Sequence, residues 1–65
     1  MPSLRAQFYL NLMIDPNPNV RQKAAHALGQ IGDPTCLFRL QAALEREQDA
    51  SVREAIREAI AKLES

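Results

Sequence analysis

Four blocks of apolar residues follow one another along the chain, each with spacings of three and four residues. Such spacing predicts amphipathic helices, because at 3.6 residues per turn it places the apolar side chains on one face. Apolar and polar residues do not alternate over a useful length, so no strand is predicted. The predicted core stripes are Leu4/Phe8/Leu12, Val20/Ala24/Ala27/Leu28/Ile31, Leu37/Leu40/Leu44 and Val52/Ile56/Ile60/Leu63.

Helix-capping residues divide the blocks. Ser3, Asn17, Asp33 and Asp49 are good N-caps, and Pro follows two of them at the first helical position. Gly32 is a typical helix end. Connections of about two to four residues make neighbouring helices antiparallel. The predicted helices run from Ser3 to about Ile14, Pro18 to about Ile31, Pro34 to about Glu47 and Ala50 to about Leu63.

The chain repeats itself. A shift of 32 residues places Val20-Arg21 on Val52-Arg53 and the cap Asn17 on Asp49. The same shift places Phe8 on Leu40 in the preceding helices. Internal repetition of this kind is the signature of stacked helical units. It predicts an all-α domain of two tandem helical hairpins, residues about 3–32 and 33–65.

The segment between the first two predicted helices, Asp15-Pro16-Asn17-Pro18-Asn19-Val20-Arg21, is followed by Ala24-Ala25 and by the run Ala27 to Pro34. Together these residues resemble the short HEAT repeat first named in phycobilisome lyases. The second copy is less similar, since Ala61-Lys62-Leu63 stands where Gly29-Gln30-Ile31 stood. The resemblance implies a short HEAT-like α-solenoid, a right-handed stack whose second helices line the concave side.

The resemblance also implies a structural ladder in which Arg21 and Arg53 reach acidic groups in the inter-helix turns. Asp15 and Asp49 are the candidate partners. The alternative is a pair of solvated arginines, each worth under ~1 kcal/mol. Gly29 lies inside a helix, where it costs roughly 1 kcal/mol against Ala. Close approach of a neighbouring helix is the expected compensation, and a functional hinge is the alternative.

The composition argues against several classes of function. Eight basic residues balance eight acidic ones, whereas a nucleic-acid binder of this size normally has a basic excess. No apolar run approaches the ~20 residues of a membrane span. His26 and the lone Cys36 cannot close a metal site, so neither metal nor cofactor is expected. A single cysteine and the lack of a signal peptide favour a reducing, cytoplasmic location.

Catalysis is not expected either. Among enzymes with this repeat, deoxyhypusine hydroxylases bind iron through His-Glu pairs, and the matching segment here reads Val20-Arg21-Gln22-Lys23. His26 is predicted to be a solvated surface residue. Cys36 lies near a helix N-terminus, which lowers thiol pKa values. At the 32-residue shift, however, Cys36 aligns with Leu4, which predicts that Cys36 is a small, buried apolar residue.

Two surfaces are candidates for binding. The mixed, neutral concave face of the second and fourth helices suits a protein partner, or is simply a solvated face; it comprises Gln22, His26, Gln30, Glu54, Arg57, Glu58 and Lys62. The first helix carries a second apolar stripe where the third has Gln41, Ala42, Glu45 and Arg46. Terminal repeats are normally polar outside, so this stripe is a candidate self-association face. It comprises Tyr9, Leu10, Met13 and Ile14.

The predicted function is therefore a non-catalytic protein–protein interaction or scaffolding module that self-associates, most simply as a homodimer. Two repeats are fewer than the three that solenoids normally need for stability, which also favours association. The alternative, from the resemblance alone, is an accessory subunit or fragment of a tetrapyrrole (bilin) handling lyase-type assembly.

Overall fold

A computed structural model describes all residues, 1–65, and all of its regular structure is helical. The helices pair as two hairpins, α1 with α2 and α3 with α4, and the two second helices form the most extensive helix contact. The predicted all-α stack of two hairpins is confirmed. The helices are α1 Leu4–Leu12, α2 Pro18–Ile31, α3 Leu37–Arg46 and α4 Ala50–Glu64, with a 3₁₀ turn Pro34–Cys36 before α3.

Capping chemistry sets the helix starts. The side chains of Ser3, Asn17, Asp33 and Asp49 each accept a hydrogen bond from a backbone N–H two or three residues later. Gly32 ends α2 with φ at 72°, a left-handed conformation that an L side chain rarely adopts. The four predicted caps are therefore confirmed, although Asp33 opens the 3₁₀ turn and α3 starts only after it.

One core joins the hairpins. Small residues where α2 crosses α4 allow the two backbones to approach closely: a Cβ built on Gly29 would lie 3.1 Å from the Cα of Ala59. The predicted close approach at Gly29 is therefore present. Besides Gly29, the buried residues are Ala6, Leu10, Met13, Ala24, Ala25, Leu28, Cys36, Leu40, Ala43, Val52, Ile56 and Ala59.

The predicted core stripe of the first helix is wrong. Leu4 is 85% exposed and Phe8 60% exposed, whereas Ala6, Leu10 and Met13 are buried. The α1 sequence has apolar residues on every side, so its period does not single out one face. The packing of α1 against α2 determines which face of α1 is buried.

The shift between the repeats is also not uniform. Second helices align at 32 residues, but the buried positions of the first helices align at 30. The matched pairs are Ala6 with Cys36, Leu10 with Leu40, and Met13 with Ala43. Compared with the first hairpin, the second hairpin thus has two additional residues between the buried positions of its first helix and the start of its second helix. Phe8 corresponds to Phe38, both exposed, and not to Leu40 as predicted.

The other residues of the predicted stripes lie at the margins of this core. All of them are half-buried. These residues are Leu12, Val20, Ala27, Ile31, Leu37, Leu44, Ile60 and Leu63.

Candidate interaction surface

The polar faces of α2 and α4 border an open groove of about 720 Å³. Gln22 and His26 line it from α2, and Glu54 and Glu58 line it from α4. These four predicted concave-face residues are thus brought together by the crossing of the two second helices. The remaining lining residues are Lys23, Ala50, Ser51 and Ala55.

The groove presents hydrogen-bonding groups and charges of both signs. One ammonium group, Lys23, stands against the two carboxylates Glu54 and Glu58, a net charge of −1 with His26 neutral. Such a lining can bind a polar partner segment, but the carboxylates repel phosphate groups.

Three predicted concave-face residues lie outside the groove. Gln30 contacts His26, with 3.2 Å between the Nε2 atoms of the two side chains. Arg57 forms an exposed ion pair with Glu54 at 3.7 Å. The Lys62 side chain packs beside Gly29 on α2. The sequence analysis missed the lining residues Lys23 and Ser51, although helical spacing places Lys23 three residues before His26 and Ser51 three before Glu54.

Arg21 connects the two hairpins. Its Nε and Nη2 donate to the two carboxylate oxygens of Glu47 at 2.9 and 3.0 Å, and its Nη1 donates to the carbonyl oxygen of Asp15 at 2.7 Å. The hydrogen bonds from Arg21 lower the pKa of Glu47, against the opposing effect of partial burial. The same bonds raise the pKa of Arg21. Arg21 therefore joins the turn of its own hairpin to the turn of the next.

The predicted acidic partners of the ladder are wrong. Arg21 uses the backbone of Asp15, whose carboxylate instead accepts the Asn17 N–H at 2.8 Å. Asp49 is occupied as the N-cap of α4. Arg53 bonds no carboxylate: its Nη1 donates to two carbonyl oxygens of its own hairpin, those of Leu44 and Glu47, both at 2.9 Å.

Sequence reasoning missed Glu47 because it was assigned as a helix end. The 32-residue shift carried the signal, since it places Asp15 on Glu47 in the two matching turns.

A model of HEAT repeats matches residues 6–61, nearly the whole chain. This chain belongs to the HEAT-repeat family. HEAT repeats generally mediate protein interaction.

Two curated relatives share this HEAT segment. An uncharacterized protein in the gldA 3′ region of Geobacillus stearothermophilus is 45% identical over 51 residues, which are 78% of this chain and 24% of that protein. Epoxyqueuosine reductase of Bacillus subtilis (strain 168) is 41% identical over 51 residues, 78% of this chain and 13% of that protein. The chain thus spans a quarter or less of the curated relatives it matches. No solved structure matches it significantly.

The self-association face predicted on the first HEAT helix is not a continuous surface. Leu10 and Met13 belong to the core, being 6% and 4% exposed. Tyr9 is half-buried and contacts Phe8 edge to face, with ring centroids 5.1 Å apart. Only Ile14 is exposed, at 73%. The large apolar side chains that reach solvent are Met1, Leu4, Phe8, Ile14 and Phe38.

His26 and Cys36 have different surroundings in this HEAT fold. Cys36 is buried, and burial together with the nearby Asp33 raises the pKa of its thiol. The thiol is therefore protonated at neutral pH and inaccessible. His26 is exposed and has Gln30 as its side-chain partner. No three His, Cys, Asp or Glu side chains lie close enough to share a metal ion, and no helix is long and apolar enough to cross a membrane.

Proposed function

We propose that this HEAT module is non-catalytic and binds a polar segment of a partner protein in the groove between α2 and α4. The observation that carries the proposal is the groove itself, in which side chains of both second helices converge. Gln22 and His26 stand on one wall, and Glu54 and Glu58 on the other. All four are mounted on helices rather than loops, so the partner meets a preorganised surface.

The chemistry of the groove suggests a partner with charges of both signs. Lys23 can pair with a carboxylate of the partner, and Glu54 and Glu58 with its basic side chains. Exposed charge pairs of this kind contribute mainly to specificity and association rate. A lining with only two apolar side chains, Ala50 and Ala55, offers no pocket for a large apolar anchor and favours modest affinity and reversible binding.

The state of Cys36 supports the non-catalytic part of the proposal. Its buried thiol with a raised pKa is a poor nucleophile, and Cys36 is not among the residues that line the groove. The relative named as a reductase has a similar segment over only 13% of its length. A segment that makes up so small a part of a larger protein is consistent with an accessory, non-catalytic role.

Charge reversal tests the groove. The double variant Glu54→Lys/Glu58→Lys should capture less of the natural partner from an extract of the native organism. Its matched control is Glu45→Lys/Glu64→Lys, which reverses two exposed charges outside the groove. Both variants should keep the helical circular dichroism of the original chain. Equal capture by the two variants would place the binding site elsewhere.

Self-association is a second candidate function, favoured by the exposed aromatic residues. Phe8 and Phe38 occupy matching positions on the first helices of the two hairpins and are 60% and 78% exposed. Pairing of this surface between two chains would remove both rings from water, at roughly 1.5–3 kcal/mol for each ring fully buried. Light scattering over a concentration series should then give a dimer that Phe8→Glu/Phe38→Glu dissociates. A mass near 7.3 kDa at every concentration would contradict the homodimer.

The tetrapyrrole alternative rests on the family resemblance alone. A purified sample with a bilin-like absorbance band in the visible range would support it. A spectrum with only the ultraviolet absorbance of Tyr9 and the phenylalanines would remove it.

A further inference from the structure

The charged side chains that line the groove form no ion pair across it. Lys23 lines the groove from α2, and Glu54 and Glu58 line it from α4. Glu54 has an ion pair with the exposed Arg57 of its own helix, at 3.7 Å, whereas Lys23 and Glu58 have none. Because exposed pairs between neighbours on one helix are weak, all three groove charges are free to bind a partner.

The two carboxylates have a fixed spacing along α4. Glu54 and Glu58 are four residues apart, which places them on one face of the helix and about 6 Å apart along its axis. In an extended chain, alternate residues lie about 6.6 Å apart and point to the same side. Two basic side chains with one residue between them can therefore each meet one carboxylate. Adjacent basic residues cannot, because their side chains point to opposite sides.

The α2 side of the groove faces the residue between the two basic ones. The groove-lining side chains of α2 are Gln22, Lys23 and His26, none of which is acidic. The ammonium group of Lys23 attracts a carboxylate at this place and repels a third basic side chain. The amide of Gln22 has both donors and an acceptor, which suit the peptide groups of an extended segment.

The register of the two helices places the opposite charges at the same end of the groove. α2 and α4 run in the same direction, because short turns make each helix antiparallel to the one before it. Gly29 packs against Ala59 and Lys62, which lie 30 and 33 residues further along the chain. At the same offset Lys23 is level with the part of α4 that contains Glu54. The flexible four-carbon stem of Lys23 lets its ammonium group reach the residue next to the one that Glu54 binds.

We propose that the groove selects an extended partner segment in which a basic, an acidic and a basic residue follow one another. The two basic side chains pair with Glu54 and Glu58, and the acidic side chain pairs with Lys23. This selection rests on the proposed function, because the groove must first be the site that binds the partner. The order of the charges distinguishes such a segment from others of equal net charge, since a like charge at any of the three places is repelled.

Two peptides of one composition test the order of the charges. One is Gly-Ser-Arg-Glu-Arg-Ser-Gly and the other is Gly-Ser-Glu-Arg-Arg-Ser-Gly, and both are too short to form a stable helix. Each is titrated at low ionic strength into the isotope-labelled chain, and its affinity is read from NMR chemical shifts. The first peptide should bind roughly two- to fivefold more tightly, the effect of one exposed ion pair. Equal affinities, or no binding of either peptide, would overturn the proposal.

A charge reversal on α2 tests the place of the acidic residue. In Lys23→Glu the middle carboxylate of the first peptide meets a like charge, so the preference for that peptide should be lost. Arg39→Glu is the matched control, because it makes the same change of charge at an exposed position outside the groove. The control should keep the preference. An unchanged preference in the Lys23 variant would reject the pairing of Lys23 with the acidic residue.

Partner capture and peptide binding distinguish the charge order from the groove itself. If Glu54→Lys/Glu58→Lys loses capture of the natural partner while the original chain binds both peptides equally, the groove is the binding site and the charge order is wrong. Unaffected capture places the natural partner elsewhere, whatever the peptides show. Binding only by a longer, helix-forming peptide with arginines four residues apart would overturn the extended arrangement.

Discussion

The second helices of the two hairpins share a set of apolar positions but lie in different surroundings. Val20 and Val52 occupy equivalent positions, as do Ala27 and Ala59, yet only the α4 members are fully buried. α4 has α2 beside it, whereas α2 has no helix on the corresponding side. Burial in a solenoid is therefore a property of the neighbouring repeat as much as of the residue.

The two ladder arginines differ for the same reason. Arg21 joins its own turn to the carboxylate of Glu47 in the next hairpin, and Arg53 bonds only carbonyl oxygens within its own hairpin. The backbone contact is common to both, since the carbonyls of Asp15 and Glu47 are equivalent. The ion pair requires a further repeat.

The largest expected effects test the 30-residue register of the first helices. Leu10→Ala and Leu40→Ala should each lower the free energy of unfolding by about 2–5 kcal/mol, because both side chains are buried. Phe38→Ala should change it by less than about 0.5 kcal/mol and Phe8→Ala by less than about 1 kcal/mol. Urea denaturation followed by circular dichroism measures all four. A Phe8 variant as damaging as the Leu40 variant would restore the 32-residue register.

A smaller difference should separate the equivalent valines. Val52→Ala removes two buried methyl groups and should cost roughly 2 kcal/mol, including the cavity. Val20→Ala, at a half-buried position, should cost less than about 1 kcal/mol. The two variants have the same chemistry, so the gap between their unfolding free energies reports the difference in burial between the two positions. Equal losses would mean that the surroundings of the two helices do not matter.

The loss of stability on replacing an arginine by alanine should increase with the number of inter-helix turns that the arginine connects. Arg21→Ala leaves the largely buried Glu47 carboxylate without its partner, so its denaturant midpoint should fall furthest. Arg53→Ala loses two hydrogen bonds to backbone carbonyl oxygens, so its denaturant midpoint should fall less. Arg39→Ala, at an exposed position without a hydrogen bond or ion pair, is the control. A fall in the Arg53 variant that matches that of Arg21 would contradict the role of the ion pair.

The smallest expected effect is a pH dependence of the inter-hairpin contact. Because Arg21 lowers the pKa of folded Glu47, the unfolded chain takes up the proton first as the pH falls. The stabilisation is complete above the ordinary Glu pKa of about 4.3 and is lost as the pH falls through the lowered value. Thermal melts between about pH 6 and pH 3 should therefore show a steeper loss of Tm for the original chain than for Glu47→Gln. Identical slopes would show that the pair contributes nothing.

Local chemistry made much of the fold predictable. Ser3, Asn17 and Asp49 cap helices because their side-chain oxygens bond nearby backbone N–H groups, and Gly32 ends one because it tolerates a positive φ. Short turns then pair the helices into hairpins. The groove followed from the same logic, since Gln22 and Glu54 take their directions from the helical period.

The sequence by itself thus determined the helices, their caps, the two hairpins and half of the residues that line the groove. Tertiary structure alone decided that Leu10 rather than Phe8 enters the core, because a helix with apolar residues on every side has no face selected by its period. It also selected Glu47 as the partner of Arg21, a contact across 26 residues that depends on how α2 crosses α4. Val20 remains half-buried for a related reason: a residue's period sets its direction, but only a neighbouring helix can remove it from water.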